Sequence, residues 1–137
     1  MGFYFTEMQK KSNGGTEQTC RMIESNLPAD LLEDFQIIPS RLSELLQDKI
    51  RIYHLHDLPQ DPETVHLKDI SSQNRFHKIV FCGYWQYQQF RNKINLPYDL
   101  KSTVIENGLK PIDVNIKDKP DANDTVNIAY MTTPHRG

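Results

Sequence analysis

The sequence predicts an α/β fold, with an open, mostly parallel sheet and helices on both of its faces. Short runs rich in β-branched and aromatic residues alternate with segments of helical periodicity, which is typical of a parallel sheet flanked by helices. The run HKIVFC, residues 77–82, is strongly apolar, as strands buried on both faces are. A length of 137 residues is sufficient for one domain with a core of its own.

The first predicted unit is a strand, a turn and a helix. GFYF, residues 2–5, is the strand, and NGG, residues 13–15, separates it from the helix. From Thr16 onwards, apolar residues recur mainly on one side of a helix that Asn26 and Pro28 end. These apolar residues are Cys20, Met22, Ile23 and Leu27.

Two further strands are predicted, FQIIPS at 35–40 and KIRIYHL at 49–55. Between them, three leucines have the spacing of a helix over residues 41–47, which Ser40 is placed to cap. The segment 57–66 contains two prolines and is predicted to be an exposed loop. One short helix is expected after it, within residues 67–76.

The remainder of the sheet is predicted as a fourth strand at 77–82, a helix at 84–94, and a fifth strand with its turn at 101–108. Residues 110–124 are rich in Lys, Asp, Asn and Pro, which is the composition of a linker. One more strand is predicted at 125–131. The chain is therefore divided into a domain at 1–109, a linker at 110–124 and the start of a second domain at 125–137.

Charge and cysteine content exclude several classes of protein. The chain has 16 basic and 18 acidic residues without a basic stripe, which argues against duplex nucleic acid as a partner. Cys20 and Cys82 belong to no CxxC motif, so two reduced thiols are the simplest interpretation, with a disulfide left open. No apolar run approaches the ~20 residues that span a bilayer, and no signal peptide is recognised. We expect a cytoplasmic protein without a transmembrane segment.

The glycine pair Gly14-Gly15 stands between a predicted strand and a predicted helix. Glycines there allow a ligand to approach the backbone, and the first N–H groups of the helix suit a phosphate or carboxylate. Glu17, in the first helical turn, favours the helix dipole but would repel an anion placed too near. A tight turn without a ligand is the alternative, because the pair is neither GxGxxG nor a Walker loop.

The sequence HLHD, residues 54–57, combines two histidines and an aspartate at the end of a strand. Along a strand His54 and His56 share one face and Asp57 takes the other, so the set lacks the ligands of a metal site. The carboxyl ends of parallel strands form the crevice where open α/β sheets bind ligands. His56 and Asp57 are therefore candidates for that crevice, and a loop histidine with a solvated aspartate is the alternative.

The run CGYWQYQQF, residues 82–90, contains four aromatic residues. Aromatic clusters can stack on bases or sugars, but the spacing of Trp85, Tyr87 and Phe90 favours packing of a helix on the core. Gly83 and Tyr84 lie at the same end of the predicted sheet as Gly15 and His56.

Five motifs follow one another along the chain: GGTE at 14–17, the histidine in HDLP at 56–59, FCGYWQYQQF at 81–90, VIENG at 104–108 and TTPHRG at 132–137. Together and in this order they resemble the N-terminal half of a retaining glycosyltransferase of the GT-B fold. The third has Gly83 where the family has a serine. Within that fold, the motifs are most similar to the glycosyltransferase family 4-like group, which contains glycogen synthases and mannosyltransferases. The resemblance spans nearly the whole chain.

The resemblance implies a Rossmann-like domain, one half of a GT-B fold, that moves a sugar from a nucleotide-diphosphate donor to a carbohydrate or lipid-linked acceptor with retention. It implies that His56 is catalytic, lying near the transferred sugar, and that no metal or other cofactor is needed. The implied substrate- or donor-binding residues are Gly14, Gly15, Glu17, Asp57, Gly83, Tyr84, Asn107, Thr133, Arg136 and Gly137.

In the family the second domain carries most of the donor-binding contacts, and the resemblance covers only the first strand and turn of that domain, so this half alone is expected to have little or no activity. A strand at 125–131, separated from its own sheet, is a hypothetical contact for a homodimer. The competing hypothesis from the residues themselves is a non-catalytic, doubly wound domain that binds a nucleotide or a protein.

Overall fold

The computed structural model describes residues 11–42, 44–94, 96 and 101–108. The predicted first strand at 2–5, the linker at 110–124 and the strand at 125–131 lie outside these ranges. So do three predicted site residues, which are Thr133, Arg136 and Gly137.

Four parallel strands form one sheet, in the order β1-β2-β3-β4. Their bounds are β1 Phe35–Pro39, β2 Ile50–Leu55, β3 Lys78–Phe81 and β4 Ser102–Val104. Each lies inside a strand predicted from the sequence, so the parallel sheet with flanking helices is confirmed. The strand order follows the chain order, without a reversal among these four strands.

The helices precede the sheet or connect its strands. They are α1 Gly15–Asn26, α2 Ala29–Glu33, a 3₁₀ helix at Pro62–Lys68, α3 Ile70–Gln73 and α4 Tyr84–Ile94. The prediction for 84–94 is confirmed, whereas α2 was not predicted. No helix within the described ranges is long and apolar enough to cross a bilayer.

The prediction of a helix over 41–47 is wrong, because the described residues of that segment form turns and irregular backbone. Gln36 explains the difference. Its fully buried side chain donates to Glu44 O at 2.6 Å and accepts from Leu46 N at 2.9 Å, so it binds backbone groups that a helix would pair internally. Leu42 and Leu45 still pack against the core, which accounts for their helix-like spacing.

The prediction of an exposed loop at 57–66 is also wrong in part. The 3₁₀ helix begins at Pro62, within this segment, and it buries Thr64 and Leu67. Proline is tolerated in a first helical turn, where the missing N–H has no internal partner to lose. Two prolines therefore did not exclude a helix here.

The two faces of the sheet are packed by different parts of the chain. The larger core takes alternate residues of the strands together with side chains from the 3₁₀ helix and α4; its buried members are Ile38, Tyr53, Leu55, Leu67, Phe76, Ile79, Phe81, Phe90, Ile94 and Leu96. The segments that connect the strands all contribute to this face, as right-handed crossovers require when strand order follows chain order. On the other face, Cys20 of α1 and Leu32 of α2 pack against Ile37.

The aromatic residues of α4 are divided between core and surface. Gln86, Phe90 and Ile94, spaced by four, form the buried side of the helix, so Trp85 falls on the opposite side. Phe90 is fully buried, but Trp85 is 65% exposed and Tyr84 59% exposed. Core packing was therefore correct for Phe90 and wrong for Trp85.

Candidate functional site

A cavity of about 1660 Å³ lies between α1 and the less covered face of the sheet. Its wall includes the start of α1, His54 in β2, Val80 in β3 and the residues that follow β4. The volume exceeds the roughly 300–1,000 Å³ of typical small-molecule sites. The cavity reaches the carboxyl ends of the strands, where open α/β sheets bind their ligands.

The cavity brings together three of the sequence motifs. Gly15, His56 and Asn107 all line it, although they come from α1, the end of β2 and the segment after β4. Asp57, Gly83 and Tyr84 also follow strands at this edge, but they do not belong to the wall of the cavity. Three of these predicted site residues therefore line the cavity, and the other three do not.

The start of α1 leaves its backbone accessible at Gly15. A Cβ atom added to Gly15 would meet nothing within 4 Å, and the N-cap residue Gly14 gives α1 no side-chain cap. A Cβ atom on Gly14 would lie 2.8 Å from Glu17 Oε2, so the carboxylate of Glu17 folds back towards the helix terminus. Neither glycine has a positive φ, so the backbone conformation itself does not require them.

Three side chains that can bind metal ions meet at the carboxyl ends of β2 and β3. His54 Nδ1 lies 3.3 Å from His56 Nε2. The sulfur of Cys82 lies 3.6 Å from His54 Nε2 and 3.5 Å from His56 Nδ1, and it donates to Leu55 O at 3.0 Å. We call these three residues the His-His-Cys cluster.

Burial keeps the His-His-Cys cluster uncharged near neutral pH. Burial lowers the pKa of His54 to about 4, and the charge of the neighbouring His56 adds to this effect. Burial also lowers the pKa of His56 to about 4. Burial raises the pKa of Cys82 to about 11, although a hydrogen bond from Asn107 lowers it. A protonated thiol is a poor nucleophile, so the cluster favours hydrogen bonding over covalent catalysis.

Ser40 fixes the backbone of His56. The N–H of His56 donates to Ser40 Oγ at 3.0 Å, and Ser40 N donates to His54 O at 3.0 Å. The prediction that Ser40 caps a helix is wrong. Ser40 has a φ of 57°, in the left-handed region that non-glycine residues rarely adopt. Such strained residues are concentrated at functional sites.

Gln86 of α4 connects the ends of β2 and β3. Its Nε2 donates to Leu55 O at 3.1 Å and to Asp57 O at 2.8 Å. Its Oε1 accepts from the N–H of Cys82 at 2.8 Å. One buried amide therefore holds the backbone on either side of His56 and at Cys82.

The two histidines were identified from the sequence, but their third partner was not. In the sequence they stand beside Asp57, with too few ligands for a metal site, whereas the structure places Cys82 beside both rings. The parallel pairing of Leu55 with Phe81 explains the proximity, since His56 and Cys82 are the next residues along their strands. The sequence did contain one signal for this contact, since two of the predicted strands end at residues 55 and 82, next to His56 and at Cys82.

The chain was compared with protein-family models, curated proteins and solved structures, and no match was found in any of the three comparisons.

Proposed function

We propose that this chain forms the acceptor-side, Rossmann-like half of a retaining glycosyltransferase of the GT-B type, and that its cavity binds a nucleotide-diphosphate sugar. The observation that carries the proposal is that Gly15, His56 and Asn107, from three of the five motifs of the resemblance, line one cavity. The ligand class comes from the resemblance, and the shared cavity supports it.

The proposed arrangement places the diphosphate at the start of α1. The first N–H groups of a helix have no partners within the helix and favour a bound anion. The open space in front of Gly15 allows a phosphate to approach these groups closely. The carboxylate of Glu17 opposes an anion at Gly14, so the proposed contact is on the Gly15 side.

The proposed role of His56 is to hydrogen-bond the sugar. Because burial lowers its pKa to about 4, His56 is neutral near pH 7 and its ring offers one donor and one acceptor. Such a ring suits a hydroxyl group better than it suits a phosphate. Asn107, on the same wall, provides an amide with both donors and an acceptor.

We expect the substitution Gly15→Val to weaken the binding of nucleoside diphosphates by about tenfold, which corresponds to about 1.4 kcal/mol. The added side chain has room in the free protein but would occupy the space through which a phosphate reaches the backbone. Isothermal titration calorimetry with UDP, GDP and ADP, and with their sugar conjugates, measures the effect.

Ala29→Val is the control, since it adds a valine side chain at an exposed helix start, the first residue of α2, which does not line the cavity. It should leave binding unchanged, provided that circular dichroism shows both variants folded. Equal weakening by the two variants, or no binding by the parent chain, would contradict the proposed cradle.

A non-catalytic nucleotide-binding domain is the second candidate function. Both ring nitrogens of His56 have neighbours within hydrogen-bonding distance, since His56 Nε2 lies 3.3 Å from His54 Nδ1 and His56 Nδ1 lies 3.5 Å from the sulfur of Cys82. This favours a structural role for the ring. In that case His56 would make no hydrogen bond to a sugar.

The substitution His56→Asn distinguishes the two functions. If His56 contacts the sugar, we expect the affinity for the nucleotide-sugar to fall about five- to tenfold, while the affinity for the free nucleoside diphosphate stays the same. His77→Asn is the control, because His77 precedes the first residue of β3, whereas the site lies where β3 ends. An equal loss for both ligands in calorimetry would instead assign His56 a structural role.

A further inference from the structure

We propose that His54, His56 and Cys82 bind a thiophilic divalent metal ion of the zinc type, with a fourth coordination position that faces the cavity. This inference uses only the His-His-Cys cluster and does not depend on the proposed sugar-transfer function. From the sequence, no metal was expected.

The spacing of the three side chains fits zinc. One ligand atom from each residue can be chosen so that all three lie within 4.8 Å of one another. Tetrahedral zinc, with Zn–N of about 2.0–2.1 Å and Zn–S of about 2.3 Å, requires nitrogen and sulfur atoms about 3.5 Å apart. The sulfur of Cys82 is 3.6 Å from His54 Nε2 and 3.5 Å from His56 Nδ1, so both sulfur–nitrogen distances already match this requirement.

The types of ligand select the class of metal. Thiolate and imidazole groups favour zinc and other thiophilic ions over magnesium and calcium, which take oxygen ligands. Binding replaces the S–H bond of Cys82 with a metal–sulfur bond and releases that proton to solvent, without a change of oxidation state. The thiol also gives up its hydrogen bond to Leu55 O.

The two rings must adjust when they bind. A histidine that binds a metal through one nitrogen carries its proton on the other. If the nitrogens facing Cys82 bind, the protons reside on His54 Nδ1 and His56 Nε2, which are 3.3 Å apart in the structure. These two N–H groups would repel each other, so we expect the rings to rotate apart on binding.

The remaining coordination position is accessible from the cavity. His54 and His56 both line the cavity, whereas structural zinc sites are usually closed by four protein ligands. Three protein ligands and an accessible position are typical of sites that bind water or a small ligand. The ordered backbone supports the site, since Ser40 holds His56 and Gln86 holds Cys82.

Cobalt(II) added to the chelator-treated, folded protein tests the proposal directly. We expect one equivalent to produce the near-ultraviolet charge-transfer band of a thiolate–cobalt bond, and Zn²⁺ to displace it. Cys82→Ala should abolish the band and lower Zn²⁺ affinity by more than about 100-fold. Cys20→Ala is the matched control, because Cys20 is the only other cysteine and lies in the core on α1.

Alkylation of the unmodified protein provides a test that does not depend on a variant folding. Zn²⁺ should slow the reaction of Cys82 with iodoacetamide at least tenfold, as measured by mass spectrometry of the peptides. A folded parent protein without the cobalt band, or an alkylation rate of Cys82 that Zn²⁺ does not change, would overturn the proposal. Nucleotide titrations run with a chelator present test the sugar-transfer function separately.

Discussion

The substitution Phe81→Ala is expected to lower the free energy of unfolding by about 3–5 kcal/mol, the range for large aromatic residues removed from a core. Phe81 is the fully buried last residue of β3. Its ring centroid lies 5.2 Å from that of Tyr87 and 5.3 Å from that of Phe90, so it fixes α4 against the sheet. Urea unfolding followed by circular dichroism measures the loss.

Trp85→Ala is the control for Phe81→Ala, since Trp85 is on the same helix that Phe81 contacts but is 65% exposed. We expect a change within about 0.5 kcal/mol. Circular dichroism is needed for this pair, because Trp85 is the only tryptophan and the variant loses its fluorescence. A large loss in Trp85→Ala would show that this side chain is covered and that the buried side of α4 has been misassigned.

The substitution Gln86→Ala is expected to lower the free energy of unfolding by about 2–4 kcal/mol, because it removes a buried side chain together with its hydrogen bonds to three backbone groups. Three hydrogen bonds are lost, to Leu55 O, to Asp57 O and from Cys82 N. The ends of β2 and β3 should loosen first. Urea unfolding gives the total loss, and hydrogen exchange of the Cys82 amide reports the local opening.

Gln88→Ala is the control for Gln86→Ala, since it removes the same type of side chain from the same helix, outside the buried stripe. We expect it to change the free energy of unfolding by less than about 0.5 kcal/mol. Amide exchange at Cys82 that stays as slow in Gln86→Ala as in the parent would contradict the assigned role of this side chain.

Most of the regular structure could be predicted from the sequence, because local pattern and burial agree there. The four strands, which are three to six residues long, each lie within a run of the sequence that predicted them, and α4 begins and ends where it was predicted. The segment 41–47 could not be predicted, since its leucines have helical spacing while Gln36 binds its backbone. The tertiary hydrogen bonds of Gln36 decide the conformation of this segment, and local helix propensity takes no account of them.

The candidate site was predicted only in part, for a reason of register. Strand ends and turn glycines indicated Gly15 and His56 at the edge of the sheet, whereas Asn107 was named only through the resemblance. The pairing of β2 with β3 places Cys82 beside His56, and a single sequence does not specify which residues of two strands lie opposite each other. A cluster shared between strands therefore becomes visible only in three dimensions.

The alternation of side chains along β2 has a consequence for how this site could change during evolution or in a mutant library. Tyr53 and Leu55 belong to the larger core, whereas His54 and His56 face the cavity. Every second position can therefore be randomised to search for a new ligand while its neighbours continue to hold the fold together. An insertion or deletion of one residue would exchange the two sets, so the chemistry can vary by substitution but hardly by a change in length.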